Sequence, residues 1–154
     1  MSLLPMRASD LYGSGSYGAK RGDRLHKGID LACYPNTRIT LAIIGIDSVG
    51  KVTKIGMPYE DNPRTEYNET LYKYVQVTTP SNIDVRIFYV TPLVTVGDFI
   101  NADTVLGISQ NLQPVYKGIT NHIHVEVKSS NGNYLDPKHY INSWCDKSME
   151  LISV

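Results

Sequence analysis

The 154-residue chain has no surplus of either charge. Lys+Arg and Asp+Glu both number 15, giving a formal net charge of +0. A nucleic-acid binder that works through bulk charge is basic on at least one face, so this balance argues against that class. No apolar run approaches the roughly 18 residues that would span a membrane as a helix. No tract is repetitive or low in complexity. Charged residues make up only 19% against 42% hydrophobic, which is enough apolar material for one buried core and too little charge for a disordered chain. Phenylalanine is scarce, 2 against 11 Tyr, and Tyr suits both β-sheet surfaces and polar grooves. Cysteine is scarce too. Cys33 and Cys145 permit a single pairing, and two free buried thiols are the expectation. The opening Met1-Ser2-Leu3-Leu4-Pro5-Met6 is too short, and too soon broken by Pro5, for a signal-peptide core, so no export route is visible in this chain. The length suits a single domain over 1–154.

What is present reads as strands. Short apolar runs rich in Val, Ile, Tyr and Thr are broken by Gly or Pro at regular intervals. The nearly continuous apolar run 39–46 predicts a buried strand, and 49–55, 72–78, 85–90, 105–109 and 122–127 predict further strands. Pro80-Ser81-Asn82 marks a hairpin turn, and Asn131-Gly132 is the pair favoured in tight hairpin turns. One short C-terminal helix is predicted over 137–144, capped by Asp136 with Pro137 at its first position. Residues 145–154 read as a tail. The expected fold class is therefore mostly β, a compact domain of short antiparallel strands. The polar segment 57–70, with Pro58 and Pro63, is too long for a simple turn and reads as either a functional or a disordered loop, with Tyr59 and Tyr67 favouring the functional reading.

The chemistry-bearing residues are few. Of four histidines, His122 and His124 stand two apart in an alternating strand, so both imidazoles point into one space. By itself such a pair is more often structural than ligating. A second element, His26-Lys27-Gly28-Ile29-Asp30, reads as a loop entering a strand, where a kink permitted by Gly28 lets His26 and Asp30 converge. Alone, Asp30 serves equally well as a turn-capping carboxylate. Together the two elements say more. Two histidines and one aspartate form a three-ligand set with one position open, the pattern of a catalytic zinc rather than a closed structural one. A further group, His122, then stands ready to handle protons or stabilise an oxyanion.

These segments resemble the LytM/lysostaphin-type (M23) zinc endopeptidases. The stretch from Ser16 through Gly22-Asp23-Arg24-Leu25-His26-Lys27-Gly28-Ile29-Asp30-Leu31 is similar to the family's first motif. Gly118-Ile119-Thr120-Asn121-His122-Ile123-His124-Val125-Glu126-Val127 is similar to its second. Val96-Gly97-Asp98-Phe99-Ile100 onward to Gly107 resembles its hairpin, and Leu135-Asp136-Pro137 resembles its ending. The likeness covers about 12–142 in the right order. It implies an M23 peptidase-like fold related to the barrel-sandwich hybrids, with a groove walled by loops. It also implies Zn2+ held by His26, Asp30 and His124, and a catalytic His122. The implied reaction is hydrolysis of peptide bonds in the stem peptides or cross-bridges of bacterial peptidoglycan. His139 matches no ligand position and is expected on the surface.

One position departs from the pattern. Family enzymes carry a Tyr-x-His before the hairpin, and here Phe88-Tyr89-Val90-Thr91-Pro92 puts Thr91 at the expected histidine. A hydroxyl does not exchange protons at neutral pH as imidazole does. Loss of one such group costs about 10²–10⁴ in rate. Tyr59 or Tyr67 would be the groove substitutes. A zinc endopeptidase is the first expectation, and a zinc-holding wall-binding or regulatory module without turnover is the alternative. A β-domain with structurally satisfied histidines is the third. The setting expected is the bacterial cell wall, outside the cell, in the periplasm or on a phage particle, with a peptide partner, no nucleic acid and no membrane span.

Overall fold

A computed structural model of the chain describes residues 4–7, 13, 15–21, 24–57 and 72–141. Tyr59, Tyr67, Cys145 and the expected tail lie outside the described residues. In chain order the strands are β1 (Lys20–Arg21), β2 (Arg24–Leu25), β3 (Ile29–Ala32), β4 (Arg38–Ile39), β5 (Gly50–Gly56) and β6 (Tyr74–Thr78). They continue as β7 (Asp84–Phe88), β8 (Val90–Pro92), β9 (Phe99–Ile100), β10 (Gly107–Ser109), β11 (His122–Lys128) and β12 (Tyr134–Leu135). One short helix, α1 (Leu41–Ile44), interrupts them. The fold is mostly β with antiparallel sheets, as the sequence predicts.

The main sheet runs β12-β11-β7-β6-β5-β9, and β3 pairs with the same edge of β11 that β12 continues. A second sheet of three strands runs β4-β10-β8. Strand alternation sends Ile123, Val125 and Val127 of β11, Val85 and Ile87 of β7, and Val75 and Val77 of β6 into the core. Each such side chain contributes about 1.5–3 kcal/mol by leaving water. The opposite face of these strands carries the polar residues described below. A satellite cluster packs Tyr72, Leu112 and Ile119 beneath Tyr89, Val115 and Tyr116.

Two segments differ from expectation. The apolar run 39–46 is not one strand. After β4, Thr40 adopts extended backbone and its hydroxyl accepts from the Ile43 amide, starting α1, while Gly45 closes it at φ 103°. The run is apolar because Leu41, Ala42 and Ile44 are all buried, and burial all round conceals the period. The predicted C-terminal helix is, within the described residues, a single 3₁₀ turn over Pro137–His139, with Asp136 capping the Lys138 amide as expected. His139 is exposed on it.

The turns follow the sequence more closely. The β6–β7 turn holds Asn82 at φ 61°, and Gly132 sits at φ 84° in the β11–β12 hairpin. Among the described residues no helix is long and apolar enough to cross a membrane. Cys33 is a free, half-buried thiol whose pKa burial raises.

Candidate metal centre

Strand register builds the centre. In the β3–β11 ladder Asp30 lies directly opposite His124, and Ala32 opposite His122. Directly opposed residues share a face, so the carboxylate and both imidazoles emerge together on the side away from Ile123 and Val125. His26 arrives from the end of β2, its backbone held to Ala19 and Gly18. Gly28 lets that segment close onto β11. A Cβ there would stand 2.2 Å from the Val125 carbonyl oxygen and 3.0 Å from His124 Cε1. The reason for glycine is thus close approach of two backbones.

Three donor atoms meet. His26 Nε2 is 2.9 Å from His124 Nδ1 and 3.1 Å from Asp30 Oδ1, and His124 Nδ1 is 2.8 Å from the same oxygen. His26, Asp30 and His124 thus form a group able to hold a metal ion. The protonation pattern fits a cation. His26 Nδ1 donates to the Ser16 carbonyl at 2.9 Å, and His124 Nε2 donates to Glu126 Oε1 at 3.0 Å. Both nitrogens that face inward therefore carry lone pairs when the rings are neutral, and they face a carboxylate oxygen. Three acceptors around one point need either a proton or a metal ion. Ligands at about 2.0–2.1 Å in a tetrahedron stand about 3.3 Å apart, so this triangle needs only slight widening to accept one. Each ring is anchored through its far nitrogen, the support that metal-binding histidines usually have.

Arg7, buried on the adjoining N-terminal segment, anchors the carboxylate. Its Nε and Nη2 lie 3.1 and 3.0 Å from Asp30 Oδ2, leaving Oδ1 to face the histidines. Burial would raise the Asp30 pKa, but hydrogen bonds from His124 and His26 override it and hold the carboxyl well below the usual range. Burial likewise opposes charge on His124, yet its bonds to Asp30 and Glu126 push it up to about 9. Glu126 is lowered by its bond to His124 against the cost of burial.

His122 stands apart from the triangle. Its Nδ1 donates to the Thr120 carbonyl at 2.7 Å, and its Nε2 is 3.6 Å from Asp30 Oδ2. Burial pushes its pKa down, against the pull of Asp30. It is thus a neutral imidazole at neutral pH, with a free lone pair beside the centre.

The structure does not bring Thr91 into this group. Thr91 is exposed on β8, opposite Ile108. The residues of this segment that touch the histidines precede it. Phe88 meets His124 edge-on at 5.0 Å between ring centres, and Tyr89 meets His122 edge-on at 5.5 Å. Tyr89 sits at φ 71°, the kink that separates β7 from β8. Sequence reasoning missed Arg7, Glu126 and Tyr89. Glu126 was legible, two residues beyond His124 on an alternating strand. Arg7 had no local signal, because only the long-range pairing of its segment with β3 brings it to Asp30.

No family model matches the chain. The chain is 29% identical over 136 residues to leukocyte cell-derived chemotaxin-2 of Mus musculus, covering 88% of this chain and 79% of the relative. Among solved structures, it superposes on the catalytic domain of the prophage-encoded M23 protein EnpA from Enterococcus faecalis with a TM-score of 0.58 and 19% identity, over 90% of this chain and 97% of that one. It superposes on the antimicrobial peptidase lysostaphin from Staphylococcus simulans with a TM-score of 0.56 and 18% identity, over 93% of this chain and 56% of that one. The fold is that of the M23 peptidases.

Proposed function

We propose that this single-domain chain with the M23 peptidase fold is a zinc-dependent endopeptidase acting on peptides of bacterial peptidoglycan, at the cell wall or as part of a phage particle. The observation that carries the reading is the convergence of three lone-pair donors, two imidazoles and a carboxylate, each fixed from behind, beside a third imidazole that is free to take a proton. His26 Nε2, Asp30 Oδ1 and His124 Nδ1 would hold the ion, leaving one position open. A zinc ion there supplies Lewis acidity, polarising a peptide carbonyl and lowering the pKa of water toward neutrality.

The remaining work falls to this chain's own groups. His122 Nε2 accepts a proton during attack and returns it to the leaving amine, a role suited to an imidazole kept neutral at pH 7. Thr120 fixes its tautomer, and Tyr89 packs edge-on against its ring. Ser16, Glu126 and Arg7 hold the ligating groups in one geometry, so little reorganisation is needed when substrate arrives.

A second reading, a zinc-holding module without turnover, is favoured by a specific pair of observations. The segment where family enzymes carry a further histidine sets Phe88 and Tyr89, not an imidazole, against His124 and His122. Relatives from Mus musculus and Bos taurus, at 29% and 28% identity, are both named leukocyte cell-derived chemotaxin-2. Three proteins separate the readings. The wild-type chain purified without chelator should hold about one zinc and release new amino groups from purified wall peptide. His122→Ala should keep the zinc and lose at least about 10²-fold in rate. His124→Ala should lose both. Stoichiometric zinc with no released amine in any wall preparation would favour the second reading, and absence of zinc would remove both.

A further inference from the structure

The face of the main sheet that carries the centre continues well beyond it. Alternation lines up His122, His124, Glu126 and Lys128 on β11, then Asp84, Arg86 and Phe88 on β7, then Tyr74, Gln76 and Thr78 on β6. Arg86 is the middle of this surface, directly opposite Glu126 on one side and Gln76 on the other. It is half-buried and fixed. Its Nε and Nη2 donate to Gln76 Oε1 at 3.1 and 2.7 Å, and its guanidinium carbon lies 4.4 Å from the centre of the Tyr74 ring.

Gln76 takes only one edge of the guanidinium fork. The end-on edge, formed by Nη1 and the second Nη2 hydrogen, meets no protein acceptor among the described residues. No carboxylate among them forms an ion pair with Arg86 either. The Glu126 carboxylate is turned to His124, and that of Asp84 takes the Thr78 hydroxyl. Glu126, directly opposite, still feels the Arg86 charge, but cations outnumber the two carboxylates on this face. Lys54 is exposed opposite Gln76, and the ammoniums of Lys27 and Lys128 both stand over the Tyr134 ring, at 4.9 and 4.7 Å. A chain with no net charge thus carries a basic strip beside the centre, with a planar, oriented, five-donor group in its midst.

Arg86 is two residues along the ladder from the Phe88–His124 pair, about 7 Å of strand. An extended peptide lying on this face, with a bond at the centre, brings a side chain or terminus one or two residues away over the guanidinium. We propose that Arg86 is a specificity-determining residue that pairs end-on with a carboxylate of the substrate. The protein then takes the acidic stem peptide of peptidoglycan in preference to an uncharged bridge such as one of glycines. This rests on the peptidase reading for where the peptide lies. A pair made equally in the ground and transition states is uniform binding, so the Arg86 contribution is read in KM and in binding affinity.

The test uses the zinc-loaded full chain and two forms of one stem peptide, with its carboxyl groups free or amidated, measured by isothermal titration and by release of amine. The expected result is about ten- to hundred-fold tighter binding of the free acid, the span of a charge-assisted hydrogen-bonded pair. Arg86→Gln should erase that preference while leaving affinity for the amidated peptide as it was. Arg86→Lys, which retains charge without the planar fork, should fold in any event and keep only part of the preference. Equal affinities in the wild type, no binding of either peptide, or a preference untouched by both variants would overturn the inference. Preference without any hydrolysis removes the peptidase reading and leaves the recognition site standing. Hydrolysis without preference does the reverse.

Discussion

Each histidine of the centre uses one ring nitrogen on a fixed acceptor, Ser16, Thr120 or Glu126, and that single choice decides what the other nitrogen can do. For His26 and His124 it turns the other nitrogen toward Asp30, to donate when protonated or to ligate when neutral, and for His122 it leaves Nε2 beside the centre. Removing a support should therefore weaken metal binding without removing a ligand. Glu126→Ala is expected to lose about ten- to hundred-fold in zinc affinity, read by competition with a chromophoric chelator. Arg7→Met leaves Asp30 buried beside no guanidinium and should lower the stability of the metal-free protein by about 3–5 kcal/mol in denaturant titration. Zinc, as a replacement counter-charge for Asp30, should recover part of that loss. Equal destabilisation with and without zinc would separate Arg7 from the centre.

The same residues give the pH dependence its sign. In the metal-free protein the His124 pKa is raised to about 9, so its contribution is fully present below the unfolded value of about 6.5 and fades as pH rises through 9. Asp30 and Glu126 are lowered, so theirs is present above about 4 and fades as pH falls further. Metal-free stability should peak between these limits in a series of thermal melts. Zinc affinity should instead climb from pH 6 toward 9, as the proton on His124 ceases to compete.

Elements deliver these residues, and here particular positions carry the register. Gly28→Ala would push a Cβ into the Val125 carbonyl and force β3 away from β11, so stability and zinc affinity should fall together. Thr40→Ala is the control. It removes only the cap of α1, at about 1 kcal/mol in denaturation, and zinc affinity should stay unchanged. A change in zinc affinity with Thr40→Ala would mean that the centre depends on more than the β3–β11 ladder. The contrast also shows what sequence reveals. The alternation around His122 and His124 was legible because one face is core and the other is site. Helix α1 was hidden because all but one of its residues are buried, although Thr40 and Gly45 both signalled its ends.

For the whole molecule, the mostly antiparallel architecture followed from short Val-, Ile- and Tyr-rich runs with turn residues between them. The convergence of His26, Asp30 and His124 was anticipated from two motifs more than ninety residues apart. What lay beyond reach was long-range partnership between unlike segments. Nothing near Arg7 points to Asp30, and nothing near Tyr89 announces that a left-handed kink turns its ring toward His122, while Thr91 falls on an exposed strand. The basic strip around Arg86 was invisible for the same reason, since overall neutrality conceals how charge divides between faces once strands pair.

The most direct measurement is X-ray absorption at the zinc edge of the metal-loaded full chain. Coordination by His26, Asp30 and His124 with one open position gives a sulfur-free shell of nitrogen and oxygen at about 2.0–2.1 Å, with the outer-ring scattering of two imidazoles. Asp30→Asn should weaken that shell or abolish loading. A sulfur contribution at about 2.3 Å, or a chain that takes up no stoichiometric zinc, would contradict a centre built on the pairing of β3 with β11.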